Sequence, residues 1–390
     1  MPTKKSKPVA PRSVALSAKS RPSVTLEAMI HPLHRKFAKL LVEYCTSVLP
    51  GENVAITAES PAEPLVRALV REILTAGANP VLRLLYPEYL LDVLELAPDA
   101  FFAAEPTLEL QEIRALDAWI RVRAPRNSRE LQQVDKQRYT HYQKRMQPVQ
   151  EIRLEHTRWA TTLFPTAAGA QDAGMSLDAY EEFVYRAMYL LEEDPVAKWQ
   201  EVHTFQETLI QHLAQADEIR ITAPGTDLTL SVKGRNWINS DGHRNMPSGE
   251  VFTGPLETSG NGVITFQVPS SVNGTEVAGI TLHLRDGKVE EGQAERGNDL
   301  LQAQLETDAG ARYLGEIGIG TNYNIQQATK SILFDEKIGG TVHLALGRSY
   351  RESGGRNDSA IHWDMICDLR QGGAIYLDGE LFQENGTFKL

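Results

Sequence analysis

The chain has 390 residues, of which 42% are hydrophobic and 23% are charged. This is the composition of a folded globular protein of two domains or one large domain, and it excludes a wholly disordered or collagen-like chain. The formal net charge of −11 argues against nucleic acid as a partner, because phosphate binding needs clustered positive charge.

Residues 1–26 differ from the rest of the chain. They contain six basic residues, no acid and many serines and prolines. A mitochondrial transit peptide has a similar composition, but prolines at positions 2, 8, 11 and 22 would break the amphipathic helix that it needs. We therefore expect a disordered basic tail.

From residue 27 to residue 215, helical and strand patterns alternate. Because strands separated by helices are usually joined by parallel crossovers, this half is predicted to be an α/β domain. The predicted elements are helix 34–48, strand 53–57, helix 61–76, strand 81–85, strand 119–122, helix 134–146, strand 159–164 and a helix that Ser176 caps and that runs to about residue 191.

After residue 215 the sequence has the pattern of an antiparallel β-protein. Strands 218–223 and 228–232 flank a turn at Pro224-Gly225, and one helix is predicted at 297–307. We therefore predict a mixed α/β and α+β fold in which residues 216–390 form a β-rich C-terminal domain. Further turn signals in this half are Asn261-Gly262, Asn273-Gly274, Asp286-Gly287, Asp378-Gly379 and Asn385-Gly386.

Two cysteines and the lack of long apolar runs bear on the location of the protein. Cys45 and Cys367 are too few and too far apart for a disulfide framework or a thiolate metal site, which suits a reducing cytoplasm. No run approaches the roughly 18 apolar residues of a membrane helix. We expect a soluble, cytoplasmic protein with no membrane partner.

Four segments of the C-terminal half combine polar side chains with flanking glycines or apolar strands. Residues i and i+2 of a strand share one face, so His362 and Asp364 can converge on one point. Carboxylate and imidazole groups together suit a divalent ion such as zinc, cobalt or manganese. The other candidates in these segments are Glu250, Glu316, His343 and Tyr350.

Each segment alone also has an ordinary explanation. A glutamate beside glycine is commonly a solvated turn residue, and a single strand histidine is commonly structural. What favours a metal site is that all four segments lie in one domain between apolar strands, where charges are costly unless they are paired or bound to metal. His243, seven residues before Glu250, is the one other histidine considered for a role in the site.

These four segments, in this order, resemble those of the M29 family of metallo-aminopeptidases, the group of aminopeptidases T and S. The resemblance covers residues 30–390. Its motifs are residues 245–253, Gly315-Glu316-Ile317-Gly318, the step from His343 to Tyr350, His362-Trp363-Asp364, and in the N-terminal half Phe164-Pro165-Thr166 and residues 170–176.

The resemblance implies a site with two divalent metal ions and a homodimer that encloses the active sites. Tyr350 would lie beside the metals, and either Glu250 or Glu316 could also act as general base. We name Glu316 together with Tyr350 as the catalytic candidates. The implied metal ligands are Glu250, Glu316, His343, His362 and Asp364.

The predicted activity is the removal of N-terminal residues from peptides that have a free N-terminus. A pair of metal ions about 3.5 to 4 Å apart would activate a water molecule and polarise the scissile carbonyl, and Tyr350 would be an additional donor to the oxyanion. Two alternatives stay open: a two-metal hydrolase of another amide or ester, and an inactive oligomeric binding protein with the same fold.

Overall fold

The structure is a computed structural model that describes residues 30–272 and 274–390. The expected tail, residues 1–26, and Asn273 of one predicted turn lie outside the described residues. No helix in the described part of the chain is long and apolar enough to cross a membrane.

Of the α-helices in the described part of the chain, nine lie in the first half, around a parallel sheet, and two lie in the second half. The first one continues into a π-helical turn, Leu40–Cys45, and short 3₁₀ turns occur at Ser60–Ala62 and Arg351–Ser353. The α-helices are α1 (Pro32–Lys39), α2 (Glu63–Thr75), α3 (Tyr89–Leu96), α4 (Asp99–Ala103), α5 (Thr107–Arg114), α6 (Lys136–His156), α7 (Ala167–Asp172), α8 (Leu177–Ala187), α9 (Pro195–Leu213), α10 (Asn298–Leu305) and α11 (Ile332–Asp335).

The β-strands form three sheets, and most of them belong to the second half of the chain. The strands are β1 (Asn53–Glu59), β2 (Asn79–Leu85), β3 (Ala118–Arg123), β4 (Arg158–Leu163), β5 (Glu218–Ala223), β6 (Thr226–Ser231), β7 (Ile238–Ser240), β8 (Asn245–Met246), β9 (Glu250–Thr253), β10 (Asn261–Phe266), β11 (Ser270–Val272), β12 (Thr275–Arg285), β13 (Lys288–Arg296), β14 (Leu314–Gly320), β15 (Thr341–Gly347), β16 (His362–Asp368), β17 (Ala374–Leu377), β18 (Glu380–Glu384) and β19 (Thr387–Phe388).

The first sheet is parallel and has the order β2-β1-β3-β4-β8. It contains all four strands predicted in the N-terminal half, and the alternation of strands and helices produces the parallel crossovers that were expected. Its fifth strand, β8, comes from the second half of the chain and pairs with β4. Thr162 Oγ1 donates a hydrogen bond of 2.7 Å to the carbonyl of Met246 at this junction.

The second sheet is antiparallel and has the order β11-β12-β10-β6-β5-β17-β18-β19, with β13 paired to β12. Asp286-Gly287, Asp378-Gly379 and Asn385-Gly386 have positive φ at both residues and form the predicted tight turns. The turn predicted at Asn261-Gly262 is wrong, because both residues lie inside β10. A Cβ atom at Gly262 would lie 2.1 Å from the carbonyl oxygen of Asp227, so this glycine allows two strands to approach closely.

The third sheet is antiparallel and has the order β16-β15-β14-β9-β7. Every residue of β14 and β15 is buried. One apolar cluster packs around the parallel sheet, and the other contains side chains of the second and third sheets. The predicted fold class, an α/β region followed by a β-rich region, is confirmed.

Candidate metal centre

The five predicted ligands lie on one face of the third sheet. In β15, Val342, Leu344 and Leu346 belong to the apolar core, so strand alternation directs His343 to the opposite face. In the other strands too, the alternation of side chains directs the predicted ligands away from the apolar core. The remaining ligands on this face are Glu250 at the start of β9, Glu316 in β14, and His362 and Asp364 in β16.

Gly318 makes room for the His343 ring. The register places Gly318 of β14 directly opposite His343 of β15. A Cβ atom at Gly318 would lie 2.1 Å from Cε1 and 2.2 Å from Nε2 of that imidazole. The ring therefore lies across β14, and its Nε2 is 3.2 Å from Glu316 Oε1 and 3.4 Å from Glu250 Oε2.

The side chains form two groups that share Glu316. Glu250, Glu316 and His343 bring ligand atoms within 4.8 Å of one another, and so do Glu316, His362 and Asp364. In the second group, His362 Nε2 lies 3.9 Å from Glu316 Oε2 and 3.5 Å from Asp364 Oδ2. Glu316 thus offers one oxygen to each group.

Three buried carboxylate oxygens of these groups accept no hydrogen bond. They are Glu250 Oε2, Glu316 Oε2 and Asp364 Oδ1. Leaving a buried charged group without a partner is costly, and oxygen and imidazole ligands together fit a divalent cation. The donor set therefore fits a bound metal.

The shifted pKa values of these buried side chains also fit a site that binds a cation. Burial raises the pKa of Glu250 to about 7, and burial also raises the pKa of Glu316. Burial opposes the charged form of His343, but its hydrogen bond to Glu316 and the charge of Glu250 raise its pKa to about 9. A divalent cation would replace the protons that otherwise balance these buried charges.

His362 is held in the orientation that a ligand needs. Its Nδ1 donates to the carbonyl of Arg348 at 2.7 Å, which directs Nε2 towards Glu316 and Asp364. A backbone carbonyl bonded to the other ring nitrogen is a common way of fixing the tautomer of a metal-binding histidine.

Lys337 also belongs to the site, and sequence reasoning missed it. The side chain is fully buried; its Nζ lies 3.4 Å from Glu250 Oε1 and also contacts Glu336. Burial disfavours the charged form, yet the two glutamates raise the pKa of Lys337. A lysine in a charged triplet such as Asp335-Glu336-Lys337 is typically exposed, so its burial against Glu250 could not be predicted from the sequence.

Tyr350 lies at the edge of the site and is 48% exposed. Its ring centroid is 5.3 Å from that of His362 and 5.6 Å from that of Phe252. A cavity of about 480 Å³ opens beside the metal groups. Its walls include His362 and Asp364 as well as Arg123 and Tyr180 from the first half of the chain.

His243 is not part of either metal group. Its Nδ1 lies 2.8 Å from Asp241 Oδ1, and His203 Nδ1 of α9 lies 2.8 Å from Asp241 Oδ2. This cluster ties α9 to the segment that leads to Glu250. Gln206 of the same helix donates to the carbonyl of Glu250 at 2.8 Å.

Comparison with known proteins gives a consistent family assignment. Residues 31–388 match the family model described as thermophilic metalloprotease (M29). The chain is 29% identical over 380 residues to aminopeptidase 2 of Geobacillus stearothermophilus, covering 85% of this chain and 90% of the relative. It is 27% identical over 350 residues to aminopeptidase AmpS of Bacillus subtilis, covering 80% and 83%.

The fold is also that of a solved structure. Wild-type AmpT from Thermus thermophilus superimposes with a TM-score of 0.79 at 24% identity, covering 92% of this chain and 99% of that chain. The resemblance inferred from the sequence motifs is confirmed. The chain belongs to the M29 family of metalloproteases.

Proposed function

We propose that this protein is a metal-dependent aminopeptidase that removes N-terminal residues from peptides. The observation that carries the proposal is the pair of ligand groups that share Glu316 and leave three buried carboxylate oxygens without a hydrogen bond. The relatives AmpS and aminopeptidase 2, which align with most of this chain, are named aminopeptidases.

The arrangement favours two metal ions. Glu250 and His343 would hold one ion and His362 and Asp364 the other, with Glu316 between them. Zinc, cobalt and manganese all suit oxygen and imidazole ligands. When bound, the ions would supply an activated water molecule and polarise the carbonyl of the scissile peptide bond.

The protein's own side chains would perform the remaining tasks. The cavity of about 480 Å³ beside His362 would receive the peptide. The Tyr350 hydroxyl would donate a hydrogen bond to the carbonyl oxygen as negative charge develops there. Glu316 is the carboxylate that we assign to accept the proton of the attacking water, because it is the one carboxylate common to both ligand groups.

We also propose that the protein works as a homodimer in the cytoplasm. The proposal of a homodimer rests on the family resemblance, and two-fold closure is the commonest form of self-association. The cytoplasmic location rests on the two free cysteines, both of which are buried.

The test is hydrolysis of amino-acid p-nitroanilides by protein that has been stripped of metal and then reloaded with zinc, cobalt or manganese. We expect cleavage only of substrates with a free amine, loss of activity with the metal, and recovery on reloading. Equal cleavage of N-acetylated substrates would favour a hydrolase of other amides or esters. Metal content without cleavage of any substrate would favour a binding protein.

A further inference from the structure

The N-terminal half contains a second cavity, of about 250 Å³. It lies between one face of β1, β2 and β3 and the helices α3 to α6. Its lining residues are entirely different from those of the cavity beside the metal groups. Its walls include Thr57 and Glu59 near the carboxyl end of β1, which is where parallel α/β sheets commonly bind small molecules.

Four arginines line this cavity, and two of them are neutralised. Arg83 Nε donates to Glu112 at 2.8 Å. Arg145 forms an ion pair of 3.2 Å with Glu109. These pairs account for two of the three glutamates in the cavity wall.

The other two arginines have no carboxylate partner within ion-pair distance among the described residues. Arg153 lies between two indole rings, 4.7 Å from the centroid of Trp119 and 4.6 Å from that of Trp159, and its Nε donates to Gln150. Arg121 lines the cavity, and its guanidinium forms neither a hydrogen bond nor an ion pair with the rest of the described chain. Arg121 is also accessible to solvent.

The third glutamate of the wall does not neutralise Arg121. Glu59 attracts the guanidinium electrostatically, but its Oε2 accepts a hydrogen bond from the backbone N–H of Ala124 at 2.7 Å. Burial lowers the pKa of Arg121, and repulsion from Arg123 lowers it further. Burial and repulsion from Arg121 also lower the pKa of Arg153 to about 10. The two unpaired guanidinium groups are therefore close enough to repel each other.

We propose that this cavity is a binding site for a small organic anion that carries a phosphate or carboxylate group, held between Arg121 and Arg153. Guanidinium groups bind these planar or tetrahedral oxyanions through paired hydrogen bonds. Tyr89, Trp119 and Tyr142 provide aromatic surfaces for the body of the ligand. The site does not depend on the metal centre or on the proposed peptidase activity.

The test is isothermal titration calorimetry of the full-length protein with inorganic phosphate, pyrophosphate and citrate at constant ionic strength. We expect saturable binding of at least one probe. Arg121→Gln and Arg153→Gln should each weaken it about 10-fold or more, the effect of losing a charge-assisted hydrogen bond. Arg114→Gln is the matched control, because Arg114 is exposed on α5 and does not line the cavity.

Two further measurements distinguish binding at this site from binding at the metal centre, which would also attract oxyanions. Binding should persist after metal removal and should be weaker in Arg121→Lys, which keeps the charge but loses the paired donors. Binding that disappears with the metal but survives Arg121→Gln would overturn the proposal. The absence of saturable binding of all three probes by the wild-type protein would overturn it too.

Discussion

The two oxygens of Glu250 have different neighbours. Oε1 faces the ammonium of Lys337 at 3.4 Å, whereas Oε2 faces His343 and accepts no hydrogen bond. Lys337 thus occupies one oxygen and leaves the other for a metal. Because both side chains are buried, the pair should matter far more for stability than the exposed ion pairs of this protein.

Replacement of Lys337 should show that Lys337 and a bound metal neutralise different oxygens of Glu250. In Lys337→Met, the metal-free protein should lose about 3 kcal/mol of unfolding free energy, because Glu250 and Glu336 are left without their buried cation. The metal-loaded protein should lose less, since the metal still neutralises Glu250. Thermal unfolding with and without metal measures both losses. Lys233→Met, which removes an exposed ion pair with Asp217, should change neither; equal losses in both metal states would contradict this role.

The second prediction concerns the ligands of β16. His362→Ala and Asp364→Ala should each lose bound metal and nearly all peptidase activity, because each removes a donor from the group that contains Glu316. Elemental analysis and circular dichroism would show loss of metal in a folded protein. Wild-type metal content and turnover in both variants would exclude this site.

The third prediction concerns Tyr350. If its hydroxyl stabilises the oxyanion, Tyr350→Phe should lower kcat about 10-fold or more while metal content stays unchanged. The phenylalanine ring keeps the packing against His362 and Phe252, so the hydroxyl is the only group lost. A variant with the wild-type kcat would show that Tyr350 has only a packing role.

At the level of the strand, Gly318 is the position where a single methyl group should disturb the site. Gly318→Ala places a Cβ atom where the His343 ring lies, so the ring must move away from Glu250 and Glu316. We expect metal affinity to fall about 10- to 100-fold, as when a group that orients a ligand is lost. Gly260→Ala is the control, because its nearest neighbour is the end of Leu284 at 3.3 Å. Unchanged affinity in Gly318→Ala would mean that His343 does not need this space.

Elements whose signals are local could be predicted from the sequence. The four strands of the parallel sheet and the tight turns such as Asp286-Gly287 follow from periodicity and turn chemistry. The convergence of His362 and Asp364 follows from strand alternation.

Features that depend on distant parts of the chain could not be predicted. Strand β8 is only Asn245–Met246, and it belongs to the parallel sheet only because β4 lies beside it. The burial of Lys337 depends on Glu250, which is 87 positions away in the sequence. Some local elements were missed as well, because no element was predicted between β2 and β3, where α3, α4 and α5 lie.

At the scale of the whole molecule, the two halves of the chain meet next to the two ligand groups. Residues 27–215 and 216–390 were expected to be separate domains, and this division stays a proposal. Helix α9 closes the first half, and its Gln206 donates to the carbonyl of Glu250 and to Thr321 Oγ1. The metal face of the third sheet is therefore held in part by a helix of the N-terminal half.

The last prediction concerns the basic tail and the assembly of the protein. Residues 1–26 have six basic residues and no acid, and they lack the apolar periodicity of a core element. A protein that starts at Glu27 should therefore keep the thermal stability, metal content and peptidase activity of the full chain. It should also remain a homodimer, because the family resemblance places the interface in the folded part and an interface with two-fold symmetry closes on itself. Light scattering of both proteins measures their molar mass, and p-nitroanilide hydrolysis measures their activity. A shift to monomer, or a large loss of activity, would show that the tail bridges the subunits or contributes to the site.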